Sequence, residues 1–142
     1  MTTFIQLLSA FVGSLGFCLL FGLRRKLLFP AALGGLLAWA VYLATENALH
    51  ISFVSNLFAA GFSVLWADVM ARILRNPTTL FLTPAILPLV PGGTLYEAMS
   101  YAVRGDAELA KSFGSRTLNT ALAIAAGICI MLAWHELRPK NK

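Results

Sequence analysis

The sequence has few charged residues. Only 12% of its 142 residues are Asp, Glu, Lys or Arg, whereas a soluble domain contains about a quarter. Five stretches of 17 to 20 residues contain none of these residue types. This shortage excludes a soluble globular domain and indicates a chain that lies largely within lipid. The stretches are Phe4–Leu23, Leu27–Thr45, Ile51–Ala67, Pro77–Tyr96 and Thr117–His135.

Cysteine and histidine are also scarce. The two cysteines and two histidines lie in separate segments, which is not the spacing of a metal site. Cys18 and Cys129 both fall inside apolar runs, where we expect small buried hydrophobic side chains rather than a disulfide. The chain has no glycine-rich phosphate loop and no serine with an obvious histidine and acid partner. The sequence therefore predicts no enzyme, no metal and no cofactor, and transport would need a gradient or another subunit.

The lengths of the apolar stretches predict transmembrane helices. About 20 residues of helix cross the hydrocarbon core of a bilayer, and lipid offers no partner for unpaired backbone groups. A β-barrel would need alternating polar residues, which the run Ala121–Cys129 does not have. We therefore predict an all-α integral membrane protein, a bundle of five transmembrane helices in one domain, residues 1–142. The spans are expected at about 4–23, 27–44, 51–71, 78–101 and 117–134.

Basic residues predict the orientation of the spans. The net charge of +5 would suit nucleic acid, but the basic residues collect at span ends, as cytoplasmic loops require. We therefore expect no nucleic-acid partner. The cluster Arg24–Lys26 follows the first apolar run, so that run is not a cleavable signal peptide and its N-terminus lies outside. If segment 78–101 crosses fully, as we expect, the C-terminus is cytoplasmic. If it re-enters, the connection 102–116 and the tail exchange sides.

The fourth span contains an unusual density of helix breakers. Pro84, Pro88 and Pro91 follow i, i+4, i+7 spacing and would share one helix face. Each proline removes a backbone donor, so the carbonyl of Pro84, for example, loses its usual partner. At membrane depth that loss is costly unless protein or water replaces the donor. Gly92–Gly93 follows directly, and the segment predicts two half-helices joined near the bilayer centre.

The second half-helix is predicted to begin with a capping box. Thr94 would cap the N–H of Glu97, and the Glu97 carboxylate would reach back to Thr94. A helix N-terminus carries partial positive charge and free N–H donors, which suit a substrate carboxylate. Broken helices of this kind mark substrate sites in transporters. The alternative is a proline-kinked packing helix without a ligand, because proline and glycine are common in membrane helices.

The same stretch carries a family resemblance. Residues 76–103, and especially Pro88–Gly92 with Tyr96 following, resemble the threonine/serine exporter family. More narrowly, the chain is similar to the small YjjB-type subunit that corresponds to the family's C-terminal half. The resemblance implies export of a small carboxylate substrate, threonine or serine in the fused form and succinate in the split form. It also implies the bacterial cytoplasmic (inner) membrane and a larger YjjP-type partner, since the chain lacks a larger N-terminal half; a homo-oligomer is the other possibility.

Together the half-helix and the resemblance define the candidate site. A runner-up interpretation is a non-transporting membrane assembly subunit that only packs against a partner. The predicted substrate-binding residues are Pro88, Pro91, Gly92, Gly93, Thr94 and Tyr96.

Other polar residues admit two interpretations each. Asp68 and Glu97 are candidates for proton coupling, because acids inside membranes are often functional. Asp68 could equally form an ion pair with Arg72, four residues on, and Glu97 could serve only the capping box. Several other polar residues are expected to have ordinary roles. Those are Tyr101 and His50 and His135 at interfaces, Asn119 and Thr120 in helix contacts or a cavity, and Glu46 as a solvated loop charge.

Overall fold

A computed structural model of the chain describes residues 2–137, apart from the side chain of Glu136. The basic residues of the C-terminal tail, Arg138, Lys140 and Lys142, lie outside the described residues. Those that are described form six α-helices and one short 3-10 segment, Leu87–Leu89. The helices are α1 (Thr2–Leu20), α2 (Arg25–Leu49), α3 (Ser52–Leu74), α4 (Thr79–Ile86), α5 (Gly92–Val103) and α6 (Ala107–Leu137).

The predicted fold class is confirmed: the chain is an all-α membrane protein, and its fourth apolar segment is a broken helix. Four helices, α1, α2, α3 and α6, are long and apolar enough to cross a membrane. The fifth candidate is the segment that contains α4 and α5, which bends by 52° at its break. Length and composition alone are compatible with either a broken span or a re-entrant loop there.

The direction of α6 favours a broken span. Gly127 of α6 lies against Leu57 of α3, and His135 of α6 reaches Asp68 of α3. The later residue of α6 thus contacts the later residue of α3, and the two helices run parallel. The chain must therefore travel through α4 and α5 from the end of α3 back to the level at which α3 begins. The five segments carry the two ends of the described chain to opposite ends of the bundle.

Several helices differ in length from the predicted spans. α1 ends at Leu20 because Gly22, with φ of 64°, closes it: the N–H of Leu23 donates to the Cys18 carbonyl at 3.1 Å, as in a Schellman motif. α2 continues through the predicted connection to Leu49, so Glu46 is a helical residue rather than a loop charge. Membrane spans can extend as helix into the interface, where water satisfies their polar ends.

The last helix is much longer than the apolar run that predicted it. α6 begins at Ala107 and has 31 residues, about 46 Å at 1.5 Å per residue, against about 30 Å of hydrocarbon. Asp106 caps its start, where the carboxylate accepts the N–H of Leu109 at 3.3 Å. The part of α6 that precedes Arg116 projects beyond the start of α3, and α5 packs antiparallel beside it.

The end of the bundle opposite to the break has a compact apolar core. Phe81 of α4 is fully buried at its centre, so the first half of the broken span is anchored against α2 and α3. Leu80 and Leu82 pack around it from α4 itself. The other buried members are Cys18, Leu27, Ala31, Ala67 and Ala71.

A neighbouring helix supplies the hydrogen-bond donor that one carbonyl of the proline-rich segment has lost. Pro88 has no N–H to donate to the Pro84 carbonyl, and the buried Ser14 hydroxyl of α1 donates to that oxygen at 2.9 Å. Gly35 of α2 permits this approach. A Cβ at position 35 would lie 1.9 Å from Ser14 Oγ and 3.0 Å from the Pro84 oxygen. Helices α1, α2 and α4 therefore pack closely around the Ser14–Pro84 hydrogen bond, which replaces the missing backbone bond.

Removal of the Ser14 hydroxyl should destabilise the bundle. In Ser14→Ala the Pro84 carbonyl stays buried without a donor, which costs about 1–3 kcal/mol of unfolding free energy. Denaturant unfolding of the protein in detergent measures this loss. Ser9→Ala, at an exposed position of the same helix, is the control and should unfold like the unmodified protein. Equal stability of the two variants would contradict the assigned bond.

Candidate functional site

The break in the fourth span joins the 3-10 segment to α5. Val90 is extended, with φ of −61° and ψ of 126°, and α5 then starts at Gly92. Leu89 packs against Ala59 and Ala60, which lie in the first half of α3. Leu89 also packs with Ala38 at the middle of α2, and the break lines one groove with the first turns of α3. Its predicted place near the bilayer centre stays a prediction. α5 continues from the break along α6 and makes no extensive contact with α3 among the helix pairs that the structure describes.

The predicted capping box does not form. Because α5 starts at Gly92, Thr94 lies inside its first turn with helical backbone and cannot act as the N-cap. Its hydroxyl instead donates to the Pro91 carbonyl at 3.2 Å and accepts a hydrogen bond from the Thr117 hydroxyl of α6 at 2.9 Å. Thr94 thus fixes the start of α5 to α6, and Glu97 is left exposed without a capping role.

The first turn of α5 keeps free backbone donors. The N–H of Gly92 donates to the Val90 carbonyl at 2.8 Å and that of Leu95 to the Pro91 carbonyl at 3.1 Å. The N–H groups of Gly93 and Thr94 have no hydrogen-bond partner within the described part of the chain. A Cβ at Gly92 or Gly93 would meet no atom within 4 Å. The prediction of an accessible helix N-terminus is therefore supported in its geometry, although its cap is different.

An open groove of about 670 Å³ lies at this helix start. Four segments form it: the middle of α2, the first turns of α3, the break itself and α6. Arg116 is its charged side chain, and amide, hydroxyl and aromatic groups supply the rest. The groove is lined by Trp39, Tyr42, Ser52, Phe53, Asn56, Pro88, Leu89, Val90, Pro91, Gly92, Gly93, Thr94, Arg116, Asn119 and Thr120.

The structure brings most of the predicted substrate-binding residues together. Tyr96 is the exception, since its side chain is 73% exposed and does not line the groove. Tyr101 stacks on Phe113 of α6 with ring centroids 5.5 Å apart, a packing role. The predicted residues that do line the groove are Pro88, Pro91, Gly92, Gly93 and Thr94, with Asn119 and Thr120 beside them.

The two proton-coupling candidates lie elsewhere. Asp68 accepts from Arg72 Nε at 3.0 Å and lies 3.2 Å from His135 Nε2, so it joins α3 to the end of α6. Twelve residues of helix separate it from Asn56 in the groove, about 18 Å. Glu97 is exposed and lines no part of the groove. The predicted ion pair of Asp68 is thus present, and neither acid contacts the groove.

Several groove residues were not among those predicted from the sequence. Trp39 and Tyr42 stack on each other at 4.9 Å, and their i, i+3 spacing on a span was a usable signal. Asn56 is only 4% exposed, and an amide inside an apolar run was another. Glu46 lies beside the groove, where one carboxylate oxygen accepts from Ser52 at 2.9 Å; the other is buried and has no partner among the described residues.

These features define a class: a multi-pass helical membrane protein with a polar groove at a broken helix, the arrangement of a transporter. Comparison with known families makes the assignment more specific. The family model described as Threonine/Serine exporter, ThrE, matches residues 6–133. The chain belongs to the threonine/serine exporter family, which is a family of exporters and not an enzyme class. No curated protein and no solved structure matches the chain.

Proposed function

We propose that the protein is the membrane subunit of a two-component exporter of small carboxylate metabolites, threonine and serine or a succinate-like dicarboxylate. The observation that carries the proposal is the groove at the start of α5, where backbone N–H groups of Gly93 and Thr94 lack partners. Such donors suit a carboxylate. The groove residues from Pro88 to Thr94 would form the substrate site, and membership of an exporter family supports the transport role.

The proposed mechanism is alternating access around the break. In the orientation that the basic residues favour, the bacterial inner membrane holds the N-terminus outside and the C-terminus in the cytoplasm. The groove then lies toward the outer side, and the apolar core around Phe81 closes the inner side. Substrate from the cytoplasm would enter only when α4 moves relative to α2 and α3. The break at Val90–Pro91 permits such a movement without unwinding α5.

The openness of the groove is also an argument for a second subunit in the exporter. None of the twelve residues of α5, all of which the structure describes, is buried. Several apolar side chains of α5 are exposed. On the side of the groove that α5 forms, this single helix does not enclose a substrate. A larger YjjP-type subunit, or a second copy of this chain, would cover that side. The exposed side chains are Leu95, Tyr96, Met99 and Val103.

We expect an ion gradient to drive the export. The variant Asp68→Asn tests whether Asp68 carries a coupling proton. If Asp68 only pairs with Arg72 and His135, Asp68→Asn should leave proton-dependent efflux unchanged and cost at most about 1 kcal/mol of stability, as for exposed ion pairs. If it carries the coupling proton, the variant should lose the response to an imposed pH gradient while still exchanging substrate. Because Asp68 lies outside the groove, we expect the first result. Glu97→Gln is the parallel measurement for the second candidate.

The function is tested by efflux of labelled threonine, serine and succinate from vesicles. The vesicles contain this chain alone, the YjjP-type partner alone, or both. Efflux that requires both chains supports the two-component exporter. Efflux by this chain alone would assign transport to a homo-oligomer. Absence of efflux of all three compounds with both chains inserted would contradict the proposed substrate class.

A second candidate is a non-transporting assembly subunit, and the exposed apolar side chains of α5 favour it. In that case the face of α5 would bind a partner and the groove would have no substrate. Substitution of Met99 and Val103 by Ser would then abolish complex formation, while bulky residues in the groove would have no effect. The exporter predicts that the groove substitutions matter even when the complex is intact.

A further inference from the structure

Several hydrogen-bond donors of the groove residues have no acceptor among the described residues. Arg116 forms no ion pair with any carboxylate that the structure describes; its guanidinium carbon lies 5.9 Å from the Phe113 ring centroid. The Trp39 indole N–H is buried and has no partner among the described residues. The N–H groups of Gly93 and Thr94 are free as well. Four independent donors therefore belong to residues that line one groove.

Of these donors only the Trp39 N–H is buried, whereas Arg116 and Gly93 are exposed. A buried donor without a partner costs about 1–3 kcal/mol, and unpaired buried polar groups in native proteins call for an explanation. No aspartate or glutamate side chain lines the groove. Glu46 lies beside it, with one carboxylate oxygen bonded to Ser52 and the other without a partner among the described residues. Arg116 thus brings a positive charge that no carboxylate lining the groove offsets, which suits a ligand that is rich in acceptors and negative in charge.

We infer that Arg116 is the residue that binds the substrate carboxylate and determines selection for it, with the free N–H groups of α5 completing the site. This inference rests on the proposed function. A guanidinium presents parallel donors that match both oxygens of a carboxylate. Arg116 lies on α6, outside the proline–glycine segment that resembled the family, so the anchor and the broken helix come from different elements. Thr117, the next residue, ties α6 to Thr94, which holds the two parts of the site at a constant separation.

The variants Arg116→Gln and Arg116→Lys test the inference. Arg116→Gln should raise the apparent KM for succinate and threonine about tenfold or more, the loss of one bidentate charged contact. Arg116→Lys keeps the charge without the paired geometry, and it should give an intermediate value. Arg104→Gln is the matched control, since Arg104 is exposed at the end of α5 and does not line the groove. Equal KM values for Arg116→Gln and Arg104→Gln would overturn the assignment.

A binding measurement separates the inference from the proposed function. Purified protein is heated with succinate, threonine or threonine amide, which lacks the carboxylate. We expect the two carboxylates to raise the Tm of the unmodified protein and not that of Arg116→Gln, while the amide has no effect on either. If unmodified protein transports nothing, the exporter fails, and the Tm shifts still decide the role of Arg116. Stabilisation by the carboxylates that persists in Arg116→Gln overturns it.

A lipid headgroup phosphate is a second source of negative oxygen atoms. Arg116 is exposed and lies where α6 leaves the bundle, so the Tm measurement is repeated in vesicles of neutral and of anionic lipid. An Arg116→Gln effect that is the same in both lipids and depends on the added carboxylate supports the substrate role. An effect that appears only with anionic lipid and ignores the carboxylate overturns it.

Discussion

Replacement of Gly92 by leucine should abolish most transport without disturbing the fold. A Cβ at this position would meet no atom within 4 Å, so the bundle has no reason to rearrange. The leucine side chain would stand beside the free N–H groups of Gly93 and Thr94 and shield them from a substrate carboxylate. Hydrogen bonds to charged groups contribute about 1.5–3 kcal/mol, which corresponds to an efflux rate about 10- to 100-fold lower.

The measurement compares initial efflux rates at equal amounts of inserted protein, with the partner chain present. Gly13→Leu is the matched control, because Gly13 lies in α1, is exposed, and also has no atom within 4 Å of an added Cβ. Both variants should insert and unfold like the unmodified protein, and Gly13→Leu should transport normally. Normal transport by Gly92→Leu would remove the groove from the substrate path.

The membrane fold was largely predictable because it follows from one physical constraint. Lipid forces every span to satisfy its own backbone, so charge-free runs of span length locate the helices. Their ends were less predictable, because α2 and α6 continue as helix into the interface, where the charge pattern carries no signal. The start of α6 at Ala107 depends on the Asp106 cap and on Gly105 with φ of 82°, both inside a segment that resembled a polar loop.

The candidate site was predictable only where one segment contains it. Prolines and glycines predict a helix break from sequence alone, and the break is present between α4 and α5. Arg116 and Asn56 could not be assigned to that break, because their proximity depends on how α3 and α6 pack beside it. The predicted capping box was wrong for a related reason. The helix starts at Gly92, two residues before Thr94, and the Thr94 hydroxyl bonds to the Pro91 carbonyl and to Thr117 of α6 instead of accepting the N–H of Glu97.

Gly127 permits the close approach of α6 to α3, and Gly127→Ala should disrupt their packing. The added Cβ would lie 2.4 Å from the backbone oxygen of Leu57 and 3.1 Å from the Ala60 Cβ. A backbone carbonyl cannot rotate away as a side chain can, so the two helices must separate. Small residues permit this kind of close approach between membrane helices. We expect a loss of about 1–3 kcal/mol in unfolding free energy or more, measured by denaturant unfolding in detergent.

Gly114→Ala provides the control in the same helix. No atom lies within 4 Å of a Cβ at that position, and alanine is the better helix former by about 0.5–1 kcal/mol, so its stability should be unchanged or higher. Because α6 also carries Arg116 and Asn119 of the groove, separation from α3 should weaken carboxylate binding in Gly127→Ala together with stability. A Gly127→Ala protein as stable as Gly114→Ala would mean that α3 and α6 do not pack at this distance, and that α6 does not hold its groove residues against α3.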